Sequence, residues 1–536
     1  MSILSSSSVF GKQEFKNKAL LIDNSLEALI LRAQMIESAS EEILIMYYQF
    51  HGDPGGMVLL GLLKQAAYRG VSIRIILDSY ENTLRKADLE DLISSGDVGI
   101  LEFNPFSLST IFNPWSFSYR MHDKMLLVDR ELFLTGGRNV TSHYYGFTDQ
   151  AEFDESVKKR DFDYDEDTHI FREALESYID RDILLSGDVV KIARDYFIHR
   201  WREKITVPVR LGYFGRLAAE FEKLKAESYL ELCDSSGCDP KFYSVYSRLI
   251  EKNCLKAKRA TVRQCKTHSR RMKRRLTKAA KNRLSMDSIL NSFKVEVPLK
   301  LASSGLVTKF KGFEVLDLWV NSMKEVQSVS FLSKLSEDLD KNYNGVNSLD
   351  IASTILNRVA RTRNNLLIQT PYFIPTSELY RAMEKARESN PDLNISINTN
   401  SLESTNSVLA YAGYEKHRKK LLDFNVNLFE LNGKNLLHAK SIVFDDQYSF
   451  IGTYNMDPRS QNINSEIGVL IEDVEFNRTL SRSISSGLES ASRKIDYDFL
   501  ESSLKTKYPS VDWKKVEAYY RKKSILAIFP FIEKQL

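Results

Sequence analysis

Met121-His-Asp-Lys-Met-Leu-Leu-Val-Asp129, followed by Gly136-Gly-Arg-Asn139, recurs in the second half of the chain. There it reads Leu437-His-Ala-Lys-Ser-Ile-Val-Phe-Asp445, followed by Gly452-Thr-Tyr-Asn455. Both copies are His-x-Lys-x4-Asp, and in both an Asn stands 17 residues after the His. A single short motif is weak evidence, but two copies with the same trailing Asn point to a duplication. The flanking sequence agrees. Glu42-Ile-Leu-Ile-Met-Tyr-Tyr-Gln-Phe50 reads as a buried strand, Met57 to Arg69 carries apolar residues at helical spacing, and Val71-Ser-Ile-Arg-Ile-Ile-Leu-Asp78 reads as a second strand. The second half repeats the order with Asn365-Leu-Leu-Ile-Gln-Thr-Pro-Tyr-Phe373, a helix over 377–388, and Leu393-Asn-Ile-Ser-Ile-Asn-Thr399. A βαβ unit before each motif implies parallel strands and an α/β class.

The residue types in the motif dictate a chemistry. Residues i and i+2 share one face of a strand, so His122 and Lys124, and likewise His438 and Lys440, are expected side by side. A histidine can act as a nucleophile, but displacement of an alkoxide also needs a proton donor. Two half-sites facing each other supply both. Two lysines, with Asn139 and Asn455, would hold phosphoryl oxygens and stabilise charge in the transition state. Asp129 and Asp445 complete the candidate catalytic set. They are expected, however, at a turn beyond the strand, seven residues from the His and so on opposite parity, suited to fixing the loop or pairing with a cation. Each half also has a later acid, Asp180 in Tyr178-Ile-Asp-Arg-Asp182 and Glu466 in Asn464-Ser-Glu-Ile-Gly468. A carboxylate on the far imidazole nitrogen would set the tautomer and raise its basicity. No His-Glu-x-x-His run or tight acidic cluster offers a metal site, and no cofactor is expected.

These paired motifs resemble the phospholipase D superfamily, whose members act through a phosphohistidine. More closely, the chain resembles bacterial cardiolipin synthases that lack N-terminal transmembrane helices. The pieces that carry this second resemblance are Tyr47-Tyr-Gln-Phe50, Ala66-Ala-Tyr-Arg-Gly-Val71, Gly136-Gly-Arg-Asn139, Asp180-Arg-Asp182, Thr370-Pro-Tyr-Phe-Ile-Pro375, Asn400-Ser-Leu402, Gly413-Tyr414 and Phe529-Pro-Phe-Ile-Glu533. The resemblance implies two α/β domains with mixed, largely parallel sheets, related by a pseudo-twofold and sharing one active site. It implies His122 as nucleophile, His438 as proton donor, and a phospholipid as substrate. With phosphatidylglycerol or phosphatidylethanolamine the product would be cardiolipin, and with water as acceptor the same site is a phospholipase D. The expected divisions are a first domain over 20–205, a divergent basic stretch over 206–345, and a second domain over 346–536.

Composition is compatible with this and narrows the partners. At 536 residues, 43% hydrophobic and 27% charged, the chain is globular and large enough for several domains. Four cysteines exclude a disulfide scaffold. Cys233, Cys238, Cys254 and Cys265, near His268, lack paired Cys-x2-Cys spacing and are expected as free thiols in place of a zinc site. No apolar run is long enough to span a bilayer, and the N-terminus lacks a signal-peptide pattern, so a cytoplasmic protein peripheral on the membrane is expected.

The net charge of +4 conceals a segment from Glu251 to Arg283 with fourteen Lys or Arg and one acid. Such a run attracts phosphates. Arg270, Arg271, Lys273, Arg274 and Arg275 form its core as a candidate docking patch for an anionic membrane. The run has few aromatic residues, which disfavours nucleic acid as partner. The C-terminal Trp513, Tyr519 and Tyr520, set among lysines before Ile525-Leu-Ala-Ile-Phe-Pro-Phe-Ile532, suit either an interfacial anchor or a helix packed on the protein's own core. A superfamily nuclease using the basic run, and a non-catalytic membrane scaffold, are the rival readings.

Overall fold

A computed structural model describes residues 17–105, 118–146, 178–209, 314–334 and 348–528, apart from single positions within them, together with short strand segments at 164–165, 170–171, 233–234 and 237–238. The basic run, with Arg270, Arg271, Lys273, Arg274 and Arg275, lies outside the described residues, as do Cys254, Cys265, His268 and 529–536.

The first half contributes β1 (Lys18–Ile22), α1 (Ser25–Ser38), β2 (Glu42–Tyr47), α2 (Pro54–Arg69), β3 (Ser72–Asp78), α3 (Lys86–Ser95), β4 (Val98–Phe103), β5 (Lys124–Val128), β6 (Leu132–Gly136), β7 (Asp182–Ser186), α4 (Asp188–Arg202) and β8 (Thr206–Pro208). After α5 (Glu314–Ser322) and β9 (Lys324–Glu325), the chain enters the second half at β10 (Ser328–Lys334). There follow β11 (Leu349–Asp350), α6 (Ile351–Arg361), β12 (Asn365–Gln369), α7 (Ser377–Ser389), β13 (Asn394–Asn400), α8 (Val408–Glu415), α9 (Arg418–Asp423) and β14 (Asn427–Leu431). The chain closes with β15 (Ser441–Phe444), β16 (Tyr448–Gly452), α10 (Pro458–Asn462), β17 (Glu466–Glu472), α11 (Val474–Ala491), β18 (Ser492–Ile495) and, after two short helices, α12 (Trp513–Ile528).

The two sheets have the same order. The first is β8-β4-β3-β2-β5-β6-β7-β1-β9 and the second is β18-β14-β13-β12-β15-β16-β17-β10-β11. The βαβ units fall where the sequence places them, with α2 started by the Asp53 cap on the Gly56 N–H and by Pro54. The expectation of largely parallel sheets needs correction. In the first sheet only β2–β3 and β3–β4 run parallel; in the second, β12–β13, β13–β14 and the short β10–β11 pair do. Helical crossovers make the neighbours within β2–β3–β4 and within β12–β13–β14 parallel. The motif strands are instead tight hairpins, and a hairpin can only be antiparallel. The hairpin turns carry consecutive positive φ angles at Asp129 (51°) and Arg130 (61°), and at Asp445 (54°) and Asp446 (54°). That backbone twist matches the twist of the flanking strands.

Both faces of each sheet are covered, which is why strands such as β2 are buried throughout. Ile43, Ile45 and Tyr47 face a core with α1 and α2, while Leu44 and Met46 face the opposite side. There, side chains of α4 and α11 join inner-face residues of both sheets, among them Phe133, Phe331, Val443 and Ile451, in one cluster. The halves thus share a hydrophobic core. The stretch expected as a divergent insert gives β8 and β9 to the first sheet and β10 to the second. On α12, Val516 and Tyr519 are buried, and Tyr519 donates to Glu415 Oε2 at 2.6 Å. This part of the tail packs on the protein's own second half.

Candidate active site

The chain crosses between halves at two matched places. Met121 bridges Ser465, with His122 N donating to Ser465 O at 3.0 Å and Ser465 N to Arg120 O at 3.0 Å. Ile179 bridges Leu437, with Ile179 N donating to Leu436 O at 2.8 Å and His438 N to Ile179 O at 2.7 Å. Each histidine is therefore held against the segment bearing the other half's late acid. His122 Nδ1 lies 2.8 Å from Glu466 Oε2, and His438 Nδ1 lies 2.7 Å from Asp180 Oδ2. All four residues are buried.

The histidines do not stand on the strands, as their spacing had suggested. They occupy the irregular segments just before β5 and β15, where cross-half backbone bonds replace the ladder. The lysines are nonetheless beside them. Lys124 Nζ donates to the His122 carbonyl at 2.7 Å, and Lys440 Nζ lies 2.7 and 3.0 Å from the two ring nitrogens of His438. Asn139 Nδ2 donates to Gln49 Oε1 at 3.0 Å and to the Tyr144 hydroxyl at 2.9 Å. Buried Asn455 donates its backbone N–H to Ser460 Oγ at 3.3 Å, and its Oδ1 has no hydrogen-bond partner among the described residues.

Asp129 and Asp445 belong to the turns and not to this group. Asp129 accepts from the N–H groups of Ser40, Glu41 and Glu42, and Asp445 from those of Arg363, Asn364 and Asn365. With both carboxylates turned to backbone donors, the hairpin turns are tied to the strands β2 and β12. The spacing shared by the two motifs is thus explained by geometry at opposite ends of the same strand.

Electrostatics make the two half-sites one unit. Burial, then the charges of Lys124 and Lys440, hold His122 well below the usual histidine range. Burial and Lys440 hold His438 down at about 3 despite the Asp180 carboxylate. Burial lowers Lys124 to about 8 and Lys440 to about 7, the latter with help from the Lys124 charge. The two acids then diverge. Burial raises Glu466 to about 7, against the pull of Lys124 and hydrogen bonds from Thr453, Ser460 and Asn464. Burial also opposes ionisation of Asp180, but His438, Lys440 and Arg138 outweigh it and hold that carboxyl well below the usual range. Two lysines and two imidazoles gathered around one ionised carboxylate, Asp180, suit a further anion with several acceptor oxygens, such as a phosphodiester.

Several contributors escaped the sequence reading. Tyr144 and Tyr178 pack on His438, edge-on at 5.1 Å and stacked at 6.1 Å between ring centroids. Tyr48 packs edge-on to His122 at 5.3 Å, and Lys124 lies over its ring. Arg181 spans the halves, donating to Asp23 at 2.6 Å, Gln369 at 2.9 Å, Ser441 at 3.1 Å and Ser483 at 2.9 Å. Tyr48, Tyr178 and Arg181 lie within the quoted motifs but were given no role there, and Tyr144 was not singled out. Among the described residues, no group of three or more His, Cys, Asp or Glu is spaced to hold a metal ion, and no helix is long and apolar enough to cross a membrane.

Comparison with known proteins adds a family. A model described as "Cardiolipin synthase, PLD-like domain" matches twice, over residues 33–165 and 355–487. The chain is 24% identical over 479 residues to cardiolipin synthase C of Escherichia coli K12, covering 84% of this chain and 80% of that protein. It is also 24% identical over 496 residues to an uncharacterized protein of Helicobacter pylori J99, covering 87% of this chain and 78% of the relative. In fold it is similar to the crystal structure of phosphatidylserine synthase from Haemophilus influenzae, with a TM-score of 0.55, 13% identity, and coverage of 97% and 95% of the two chains.

Proposed function

The chain belongs to the phospholipase D superfamily, and from that premise we propose that it transfers a phosphatidyl group between alcohols through a phosphohistidine, in the manner of a cardiolipin synthase. The observation that carries this reading is the exchange of acids between halves: each imidazole has its Nδ1 against a buried carboxylate from the opposite half. That contact directs Nε2 of both histidines to the substrate.

His122 is the nucleophile. The hydrogen bonds of its Nδ1 go to Glu466, whereas His438 Nε2 already faces the Tyr144 hydroxyl at 3.3 Å and Lys440 Nζ at 3.0 Å. His122 Nε2 attacks phosphorus, the P–O bond to the leaving alcohol breaks, and His438 gives that oxygen a proton. In the second step an acceptor alcohol forms the new P–O bond, the P–N bond breaks, and the acceptor's proton passes to His438. Burial beside Lys440 keeps His438 deprotonated in the free enzyme. A phosphodiester anion between the lysines offsets that cause and restores the proton donor. Lys124, Lys440 and Asn455 hold the phosphoryl oxygens, while Asn139, whose two Nδ2 hydrogens go to Gln49 and Tyr144, positions those neighbours. The work is done at a membrane surface, where phosphatidylglycerol or phosphatidylethanolamine is supplied.

Incubating the protein with phosphatidylglycerol vesicles and following lipids by mass spectrometry tests this. Cardiolipin should form, and an acid-quenched reaction with labelled lipid should leave label on the His122 peptide. Absence of lipid turnover alongside cleavage of plasmid DNA would move the assignment to a nuclease.

A further inference from the structure

The duplication is broken next to one histidine only. Tyr144 follows Asn139 by the same interval at which Ser460 follows Asn455. Ser460 turns its hydroxyl to Glu466 Oε1 at 2.7 Å and supports the acid. Tyr144 instead reaches past the acid to the imidazole itself, with its oxygen 3.3 Å from His438 Nε2. Its hydroxyl accepts from Asn139 Nδ2 at 2.9 Å, so its own hydrogen is left to point at the ring nitrogen. Tyr144 is 3% exposed, and its ring packs edge-on to both His438 and Tyr178. With Asp180 on Nδ1, the neutral imidazole has a single lone pair, on Nε2.

We propose that Tyr144 is a specificity-determining residue that keeps water from His438 Nε2 while the phosphohistidine waits for its acceptor alcohol. This rests on the transfer reading above. In the resolving step the acceptor's O–P bond forms, the His122 N–P bond breaks, and the acceptor's proton goes to His438 Nε2. Water and alcohol compete for that lone pair. A water has only the local hydrogen bonds to hold it there, and the Tyr144 hydroxyl at 3.3 Å shares that place with Lys440 Nζ at 3.0 Å, which turns to the phosphoryl oxygens once substrate is bound. An alcohol carried on a larger acceptor is held by the rest of its molecule, so it can displace a contact as long as 3.3 Å. Removing the hydroxyl would leave Asn139 Nδ2 and His438 Nε2 facing a small polar gap, the kind of place a water fills.

Wild type, Tyr144→Phe and Tyr178→Phe are compared on phosphatidylglycerol mixed micelles with deuterated glycerol, measuring phosphatidic acid against labelled phosphatidylglycerol and cardiolipin. Tyr144→Phe keeps the ring, and its melting transition reports on the fold. The ratio of hydrolysis to transfer should rise at least about fivefold in Tyr144→Phe, and stay within about twofold in Tyr178→Phe, whose hydroxyl is turned to Asn406. A merely structural role would lower both products together. If Tyr144→Phe does not fold, Tyr144→Leu must shift the ratio in the same direction. An unchanged ratio in a folded Tyr144 variant, or an equal rise in Tyr178→Phe, overturns the role of Tyr144 and leaves the transfer reading standing. Phosphatidic acid as the sole wild-type product overturns both.

Discussion

Glu466 and Asp180 occupy equivalent positions and meet equivalent histidines, yet their protonation differs. Glu466 is raised by burial to about 7, while His438, Lys440 and Arg138 overcome burial and keep Asp180 ionised. The sign for Glu466 follows from linkage. Its folded pKa lies above the ordinary 4.5, so between roughly pH 4.5 and 7 the folded state keeps a proton that the unfolded state has released. Stability contributed by this group is present at low pH and falls as pH rises through that window. Glu466→Gln removes the dependence. The melting temperature of the variant relative to wild type should therefore climb between about pH 5 and about pH 8. A difference that stays flat would mean that Glu466 is ionised throughout. Turnover of the same variant should drop by about a hundredfold or more, because a neutral amide no longer stabilises the imidazole cation.

At the scale of elements, the hairpin ends decide how close each acid comes to its histidine. β6 ends in Gly136, followed by Gly137, whereas β16 ends in Gly452, followed by Thr453. Gly136 has φ 154°, and a Cβ on it would collide with the Arg181 carbonyl of β7's approach. At Gly137 a Cβ would fall on the Asp180 carboxylate itself. In the second half the matching position is filled by the Thr453 hydroxyl, which donates to Glu466. One half thus makes room for its acid with a missing side chain, and the other grips its acid with a hydroxyl. Gly137→Ala should push Asp180 off His438 Nδ1 and cut turnover by about 10²-fold, with a pH–rate profile displaced relative to wild type. A variant with full turnover and an unmoved profile would show that the strand end can yield without disturbing the acid.

For the whole molecule, neither half holds a complete site, and one side chain spans the seam more widely than any motif suggests. Arg181, adjacent to Asp180, reaches Asp23 in the first half and Gln369, Ser441 and Ser483 in the second. Arg181→Ala leaves buried acceptors unmatched and should cost about 2–4 kcal/mol of stability in denaturant unfolding. Activity should fall with it even under conditions where the protein stays folded, since both crossing segments are set by the same seam. Unchanged stability and activity would mean that the backbone bridges alone hold the halves in register. The sequence by itself determined the duplication, the βαβ units and the pairs His122/Lys124 and His438/Lys440, because these are local periodicities and spacings. It also brought forward Asp180 and Glu466, by matching the strands that follow them. Tertiary structure alone decided that the acids are exchanged between halves, which distant backbone donors Asp129 and Asp445 meet from their turns, that most strand neighbours are antiparallel, and that Tyr144 reaches only one histidine. Each of these depends on contacts between residues far apart in the chain, and no local pattern of side chains encodes which distant surface a residue will meet.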